Sequence, residues 1–348
     1  SVSLLALFGG MAAANSAAGH ANEGDDQVST RAPLRAERVW IDPIRDMPPR
    51  ALGEEEPISN IIYVNRCVGG CTLTPGPNDA LANTSSIPET TTVISEFMHS
   101  QEVFDEAITC LREVYAPYDV DIVTEDPGPA LHHEVLLAGL PQEVGYGPLV
   151  GGLSPAACRP LNNIISLVFA NNFGPSALDL CWTAAQESAH AFGLPNHVRD
   201  CTDPMTYIPG CGQKFFRDAG LPCGDFELED CRCESDAIRE DVQNSHRALL
   251  NVFGPGVNPP PPEILLQRPS ELDAVSDNFD VVFTASDKRR VDRVFLFLNG
   301  TLYLQAPGWG PGQENAPYRF ITPVLPDGLI RIDIRARNDL RIESTLSL

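Results

Sequence analysis

Ten cysteines, five of them crowded between Cys201 and Cys233, constrain this chain more than any other feature. That stretch carries few periodic apolar residues and cannot close a core alone, so disulfides are the staple expected to hold it. The count is even, and the cysteines are not set in paired C-x-x-C zinc knuckles. Such a pattern implies disulfide formation in an oxidising compartment. Cys67 and Cys71, spaced C-x-x-x-C, read as one pair; ten cysteines allow too many pairings for sequence to choose among the rest.

The start of the chain agrees with export. Val2 to Met11 is a short apolar run followed by small residues, which reads as the remnant of a secretory signal peptide over 1–22. A polar, Arg- and Pro-containing leader over 23–60 shows no sustained period and reads as flexible or as a pro-segment. No later segment approaches the ~18 apolar residues that span a bilayer. Lys plus Arg total 24 against 47 Asp plus Glu, a net charge of −23. A deficit of that size argues against nucleic acid and against anionic membrane surfaces. Residues 261–348 carry only −2 of it, leaving −21 on the first 260. The oligomeric state is not readable.

Periodicity then divides the chain. Ile61 to Val64 reads as a strand, Phe97 to Tyr115 as an amphipathic helix, Tyr118 to Val123 and Leu161 to Ala170 as strands, and Ala177 to Phe192 as a second helix. Gly193 and Pro195 stop that helix. An irregular Cys-rich region runs from His197 to about Glu234, and a last helix is expected from Ser235 to Val252. Asn258 to Pro262 is a stiff linker. Strands then recur at short intervals to the end, with Asn299-Gly300 as a hairpin turn. The fold class expected is therefore α+β over 61–256, a Pro-rich linker over 257–262, and an all-β sandwich over 263–348.

Chemistry concentrates in Gln186-Glu187-Ser188-Ala189-His190-Ala191-Phe192-Gly193-Leu194-Pro195-Asn196-His197. On a helix, positions 186 and 190 lie one turn apart on one face, so both can reach one metal. Glu187 beside them can reach a metal-activated water. Gly193 ends the helix and lets a later side chain return toward the same ion. Three protein ligands, an open position for water and a carboxylate base are what a zinc hydrolase requires.

This segment resembles the metzincin zinc peptidases, whose pattern is H-E-x-x-H-x-x-G-x-x-H followed by a methionine turn. Glu187, His190 and Gly193 match in register, and Asp203-Pro204-Met205-Thr206-Tyr207 resembles the methionine turn. The resemblance covers about 61–252. It implies a zincin-type domain, zinc as cofactor, and a protein or peptide substrate. It implies His190, His197 and Gln186 as metal ligands, Glu187 as general base, Met205 as the floor, and Tyr207 as a donor to the developing oxyanion. Two departures stand out. The family's first histidine is Gln186 here, and its third falls on Asn196, with His197 one residue later. A one-residue insertion in the turn would still deliver His197. The amide oxygen of Gln186 is a weaker ligand for zinc than imidazole and suits harder cations.

Two functions follow: a secreted zinc endopeptidase, or a catalytically inactive binding or adhesion protein on the same fold. Other candidates carry less. His132-His133-Glu134 could reach the cleft, but a surface loop is the commoner reading, while His99 and His20 have no partners nearby in sequence. Asn83-Thr84-Ser85 is a glycosylation sequon. The tail, with Phe283-Thr284-Ala285-Ser286-Asp287 and Leu325-Pro326-Asp327-Gly328, resembles bacterial immunoglobulin-like modules, which implies a spacer or adhesive unit.

Overall fold

Strand β2 (Ile61–Asn65) alternates half-buried and buried side chains, and it sits inside a six-stranded sheet in a computed structural model. The structure describes residues 34–40, 58–276, 278–310, 313 and 315–348; the signal-peptide reading and most of the leader lie outside them. The remaining strands of this sheet are β1 (Arg35–Trp40), β3 (Asp121–Val123), β4 (His133–Ala138), β5 (Val150–Ala156) and β6 (Ile165–Phe169). Their order is β1-β5-β6-β4-β2-β3. Strands β6, β4, β2 and β3 are parallel, whereas β5 runs antiparallel to β6 and carries β1 parallel on its outer side.

Helices α1 (Gln101–Tyr115) and α2 (Ala177–Ala191) pack on one face of the sheet through Leu111, Val114, Ala184 and Ala189 against Val135, Leu137 and Val168. The Cys110–Cys181 disulfide staples the two helices together. On the other face, Leu136, Ala138, Leu153 and Leu167 meet Leu73, Ile87 and Ile94 from an excursion between β2 and α1. The Cys67–Cys71 pair forms there, as expected. Cys158–Cys233, Cys201–Cys211 and Cys223–Cys231 hold the irregular stretch after α2.

Several boundaries differ from the sequence reading. Ser100 accepts the Val103 N–H and starts α1 at Gln101 rather than Phe97. Asn244 caps α3 (Ser245–Phe253) in the same way, so the last helix begins ten residues later than its apolar spacing suggests. Within the leader, Arg35–Trp40 is strand β1 rather than a segment without structure. His132-His133-Glu134 is no surface loop either: all three are buried, and the latter two open the central strand β4.

After the prolines of 259–262 comes a two-sheet β-sandwich. One sheet is β7 (Glu263–Arg268), β8 (Asp280–Ser286) and β11 (Tyr318–Ile321). The other is β10 (Thr301–Pro307), β9 (Val291–Leu298), β12 (Ile332–Asn338) and β13 (Glu343–Ser347). Every pairing is antiparallel. Val281, Phe283, Leu296 and Ile334 fill the space between the sheets.

The sandwich is fastened to the first domain by one buried arginine. Arg289, 1% exposed, grips Asp339 with Nε at 3.0 Å and Nη2 at 2.9 Å, donates to the Phe216 carbonyl at 2.7 Å, and lies over the Phe215 ring. Asp339 also accepts the Asp218 N–H, and the Arg217 guanidinium bonds the Arg289 carbonyl. Burial alone would raise the Asp339 carboxyl; the Arg289 and Arg217 charges overcome it and hold it below its ordinary value. Its contribution is therefore present above the ordinary carboxylate range and is lost as pH falls through the depressed folded value. Breaking a buried pair from one side strands the other charge. Asp339→Asn is expected to cost about 3–5 kcal/mol in urea denaturation, with Arg289→Met/Asp339→Leu recovering most of it. A single-variant loss within ~0.5 kcal/mol would show that the contact holds nothing.

Candidate functional site

From Ala184 to Ala191 every residue of α2 is buried, including Gln186, Glu187, Ser188 and His190. Polar side chains sunk in a helix need partners, since an uncompensated one costs several kcal/mol. Ser188 finds the Tyr115 hydroxyl at 2.7 Å and the Ala184 carbonyl at 2.7 Å, which orients α2 on α1. On the sheet side, the Ser166 hydroxyl lies 2.7 Å from Ser154 Oγ, 3.1 Å from His133 Nε2 and 3.3 Å from the Glu187 carbonyl. Burial holds His133 neutral by lowering it to about 3.

The helix ends in a Schellman turn. Leu194 N–H returns to the Ala189 carbonyl at 3.1 Å and Gly193 N–H to the His190 carbonyl at 3.3 Å. Gly193 has φ +86°, and a Cβ there would lie 3.1 Å from Pro160 N. Only glycine suits both conditions. This turn presents the Leu194 carbonyl to His190 Nδ1 at 2.8 Å. A carbonyl only accepts, so Nδ1 carries the hydrogen and His190 Nε2 faces inward with its lone pair.

His197 arrives opposite. Its Nδ1 donates to Asp225 Oδ1 at 2.6 Å, and its Nε2 lies 3.2 Å from His190 Nε2. Asn196, just before His197, is tied to the segment beyond the Cys223–Cys231 loop instead. Its Oδ1 accepts Arg232 N–H at 2.8 Å, and Gln243 Nε2 donates to its backbone carbonyl at 2.9 Å. Asp225 is supplied by the Cys223–Cys231 loop. Gly224, with φ +132°, makes that loop possible, because a Cβ there would fall 1.8 Å from the Glu227 carbonyl oxygen.

Two Nε2 atoms facing at 3.2 Å can hold one proton or one metal ion between them. Two imidazoles bound at ~2.0–2.1 Å with a tetrahedral angle place their nitrogens about 3.3 Å apart. The spacing fits zinc. So do the Nδ1 anchors, a carbonyl and a carboxylate, which set the tautomer that ligation needs. Gln186, 4% exposed and one turn before His190, has a buried Nε2 with no hydrogen-bond partner among the described residues. Reversing that amide would offer its oxygen as a third, neutral donor. Among the described residues no three His, Cys, Asp or Glu side chains form a metal group. The imidazoles are the pair the structure brings together, and Gln186 is the candidate that stands one helical turn before His190.

Of the other predicted residues, Tyr207 touches the pair, while Glu187 and Met205 are placed by their own neighbours. Glu187 lies against β5, where a Cβ on Gly152 would stand 2.5 Å from Glu187 Oε1. The Tyr207 ring centroid lies 4.2 Å from that of His197. Met205 is fully buried, and its carbonyl accepts Val198 N–H at 2.6 Å, next to His197. Sequence reasoning missed Asp225 and Gly152. The only signal for Asp225 was an acid between two close cysteines, and none marked Gly152.

Strand β1 runs along the outer edge of β5, from Arg35 beside Val150 to Trp40 beside Ala156. The Arg35 guanidinium lies over the Phe226 ring and the Arg232 guanidinium over Trp40. Phe226 in turn neighbours Tyr207. The leader therefore flanks the wall of the site, and Glu187 is fully buried beneath it.

No protein-family model matches this chain, and no curated protein does. Among solved structures, the chain is similar to fibronectin(III)-like modules of CbhA from Clostridium thermocellum, with 19% identity and a TM-score of 0.21. That match covers 27% of this chain and 49% of the other, about half of its length.

Removing the Asp225 anchor is expected to weaken zinc binding by the His190–His197 pair about 10–100-fold. Titration of Asp225→Ala against a chromophoric chelator reads this; unchanged affinity would mean the pair is not a metal site. Gly152→Ala is expected to displace the Glu187 carboxylate while leaving zinc stoichiometry intact. A reduced stoichiometry in that variant would contradict the separation of the two functions.

Proposed function

We propose that the first domain is a metzincin-like zinc endopeptidase of an exported protein. The observation that carries this reading is the His190 and His197 Nε2 atoms 3.2 Å apart, each ring anchored through Nδ1. Zinc held by these two nitrogens and by the Gln186 amide oxygen would acidify a water and polarise a peptide carbonyl. Glu187, on the adjacent helical position and against β5, would serve as the general base that takes a proton from water and returns it to the leaving amine. Tyr207 donates a hydrogen bond to the carbonyl oxygen as charge develops there. Met205 closes the site from below and holds the backbone that carries His197.

Five disulfides agree with an oxidising compartment. No helix among the described residues is long and apolar enough to cross a membrane. The second domain we read as an immunoglobulin-like module. An extended peptide would add to the edge of β5, the same edge that β1 fills, so leader and substrate exclude each other. A second reading, an inactive binding protein on this fold, is favoured by one observation: Gln186 stands where a third imidazole would be.

Purified protein is expected to hold one zinc and to cleave casein. Glu187→Gln should reduce cleavage by at least 10²-fold with zinc retained. Gln186→His should raise zinc affinity. A chain starting at residue 58 should cleave faster than the full chain. Absence of zinc, or cleavage insensitive to Glu187→Gln, would leave the binding-protein reading standing.

A further inference from the structure

The buried His132-His133-Glu134 segment opens onto a second site, on the opposite face of the sheet from α2. Along β4, Val135 and Leu137 turn toward the helices, so Glu134 and Leu136 turn away. Register pairs Glu134 with Tyr63 on β2, side by side on that face. Asn65, two residues further, donates to Glu134 Oε1 at 2.8 Å. Above them lies a cavity of about 720 Å³, to which His132 and, at its mouth, Asp126 also contribute. The His132 ring meets Tyr63 edge-on at 5.8 Å.

Glu134 is 3% exposed, yet no cation pairs with it among the described residues. Arg66, which also lines the cavity, is engaged elsewhere: its guanidinium donates to Gln101 and lies over the Phe104 ring. Asp126 adds charge of the same sign, felt by both Glu134 and Tyr63. A buried carboxylate without a counter-ion is costly, and the fold retains one at the floor of a cavity large enough for a small molecule.

We propose that this cavity binds an organic cation, a primary ammonium on a short apolar chain, whose charge pairs with Glu134 and whose body lies against the Tyr63 and His132 rings. The volume far exceeds what a bare metal ion needs, and the aromatic walls suit an aliphatic chain ending in a cation. This site is independent of the zinc reading, because none of its residues belongs to the His190–His197 cluster.

Burial pushes Glu134 up to about 7, with Asp126 adding to the rise and the Asn65 hydrogen bond opposing it. The cation binds the ionised acid. Its affinity should therefore climb about tenfold per pH unit below pH ~7 and level off above. The test is calorimetric titration of the full chain with butylammonium and with Nα-acetyl-lysine amide, each between pH 5.5 and 8. Saturable binding with this pH profile is expected. Binding of both probes would indicate a basic side chain as the natural occupant, and of butylammonium alone a free amine; either supports the site. Glu134→Gln should lose at least tenfold in affinity while melting no lower than the parent, since it removes a desolvated acid. Asp126→Asn, at the exposed mouth, should weaken binding several-fold whether or not Glu134→Gln folds. No saturable binding of either probe, an affinity flat in pH, or butanol binding as well as butylammonium would overturn the proposal.

Discussion

One buried carboxylate ties the His190–His197 pair to the rest of the molecule. Asp203 Oδ1 accepts the Met205 N–H and Oδ2 the Arg217 N–H, both at 2.9 Å. The first bond fixes the Met205 turn, whose carbonyl holds Val198 and hence its neighbour His197. The second fixes the segment that Arg289 and Asp339 grip from the second domain. Hydrogen bonds and short stretches of chain thus link the β-sandwich to His197. The tail is less a tethered spacer than the far support of the Met205 turn.

Rigidity at the site is divided between two kinds of structure. His190 and Glu187 sit on a helix stapled by Cys110–Cys181 and keyed by the Tyr115–Ser188 contact, so their positions follow from core packing. His197, Tyr207 and Asp225 sit on irregular chain, where no periodic apolar face could fix them. Disulfides and glycine turns replace packing there. This accounts for the crowding of cysteines after α2: Cys223–Cys231 bounds the loop that delivers Asp225.

What could be read from the sequence followed from local rules. Apolar spacing and Gly193 placed α2 and its end. The hairpin at Asn299-Gly300 likewise followed from turn chemistry. Central strands were harder. His133–Ala138 is buried on both faces and lacks alternation, and its polar start imitates a loop. Val150–Ala156 contains two glycines and a proline, which argue against a strand until one sees Glu187 lying where a side chain at 152 would go. Strand β1 has no period of its own and exists through pairing with β5. Asp225 meets His197 through a fold-level contact that no local pattern encodes.

Three acids shielded from solvent show how the fold handles an excess of negative charge. Asp339 has two guanidiniums and is held below its ordinary value. Asp203 has chiefly backbone donors, and burial pushes it up to about 6. Glu134 has one amide and is pushed up to about 7. The sign of each follows from its partner: cations overcome desolvation, whereas neutral dipoles do not. For the two raised acids the folded chain binds more protons than the unfolded one between their ordinary and folded values, so each subtracts stability as pH rises through that window. Asp203 repays this by organising the Met205 turn. Glu134 organises nothing comparable within the chain, and an acid buried beside a single neutral amide at a cavity is suited to an external cation.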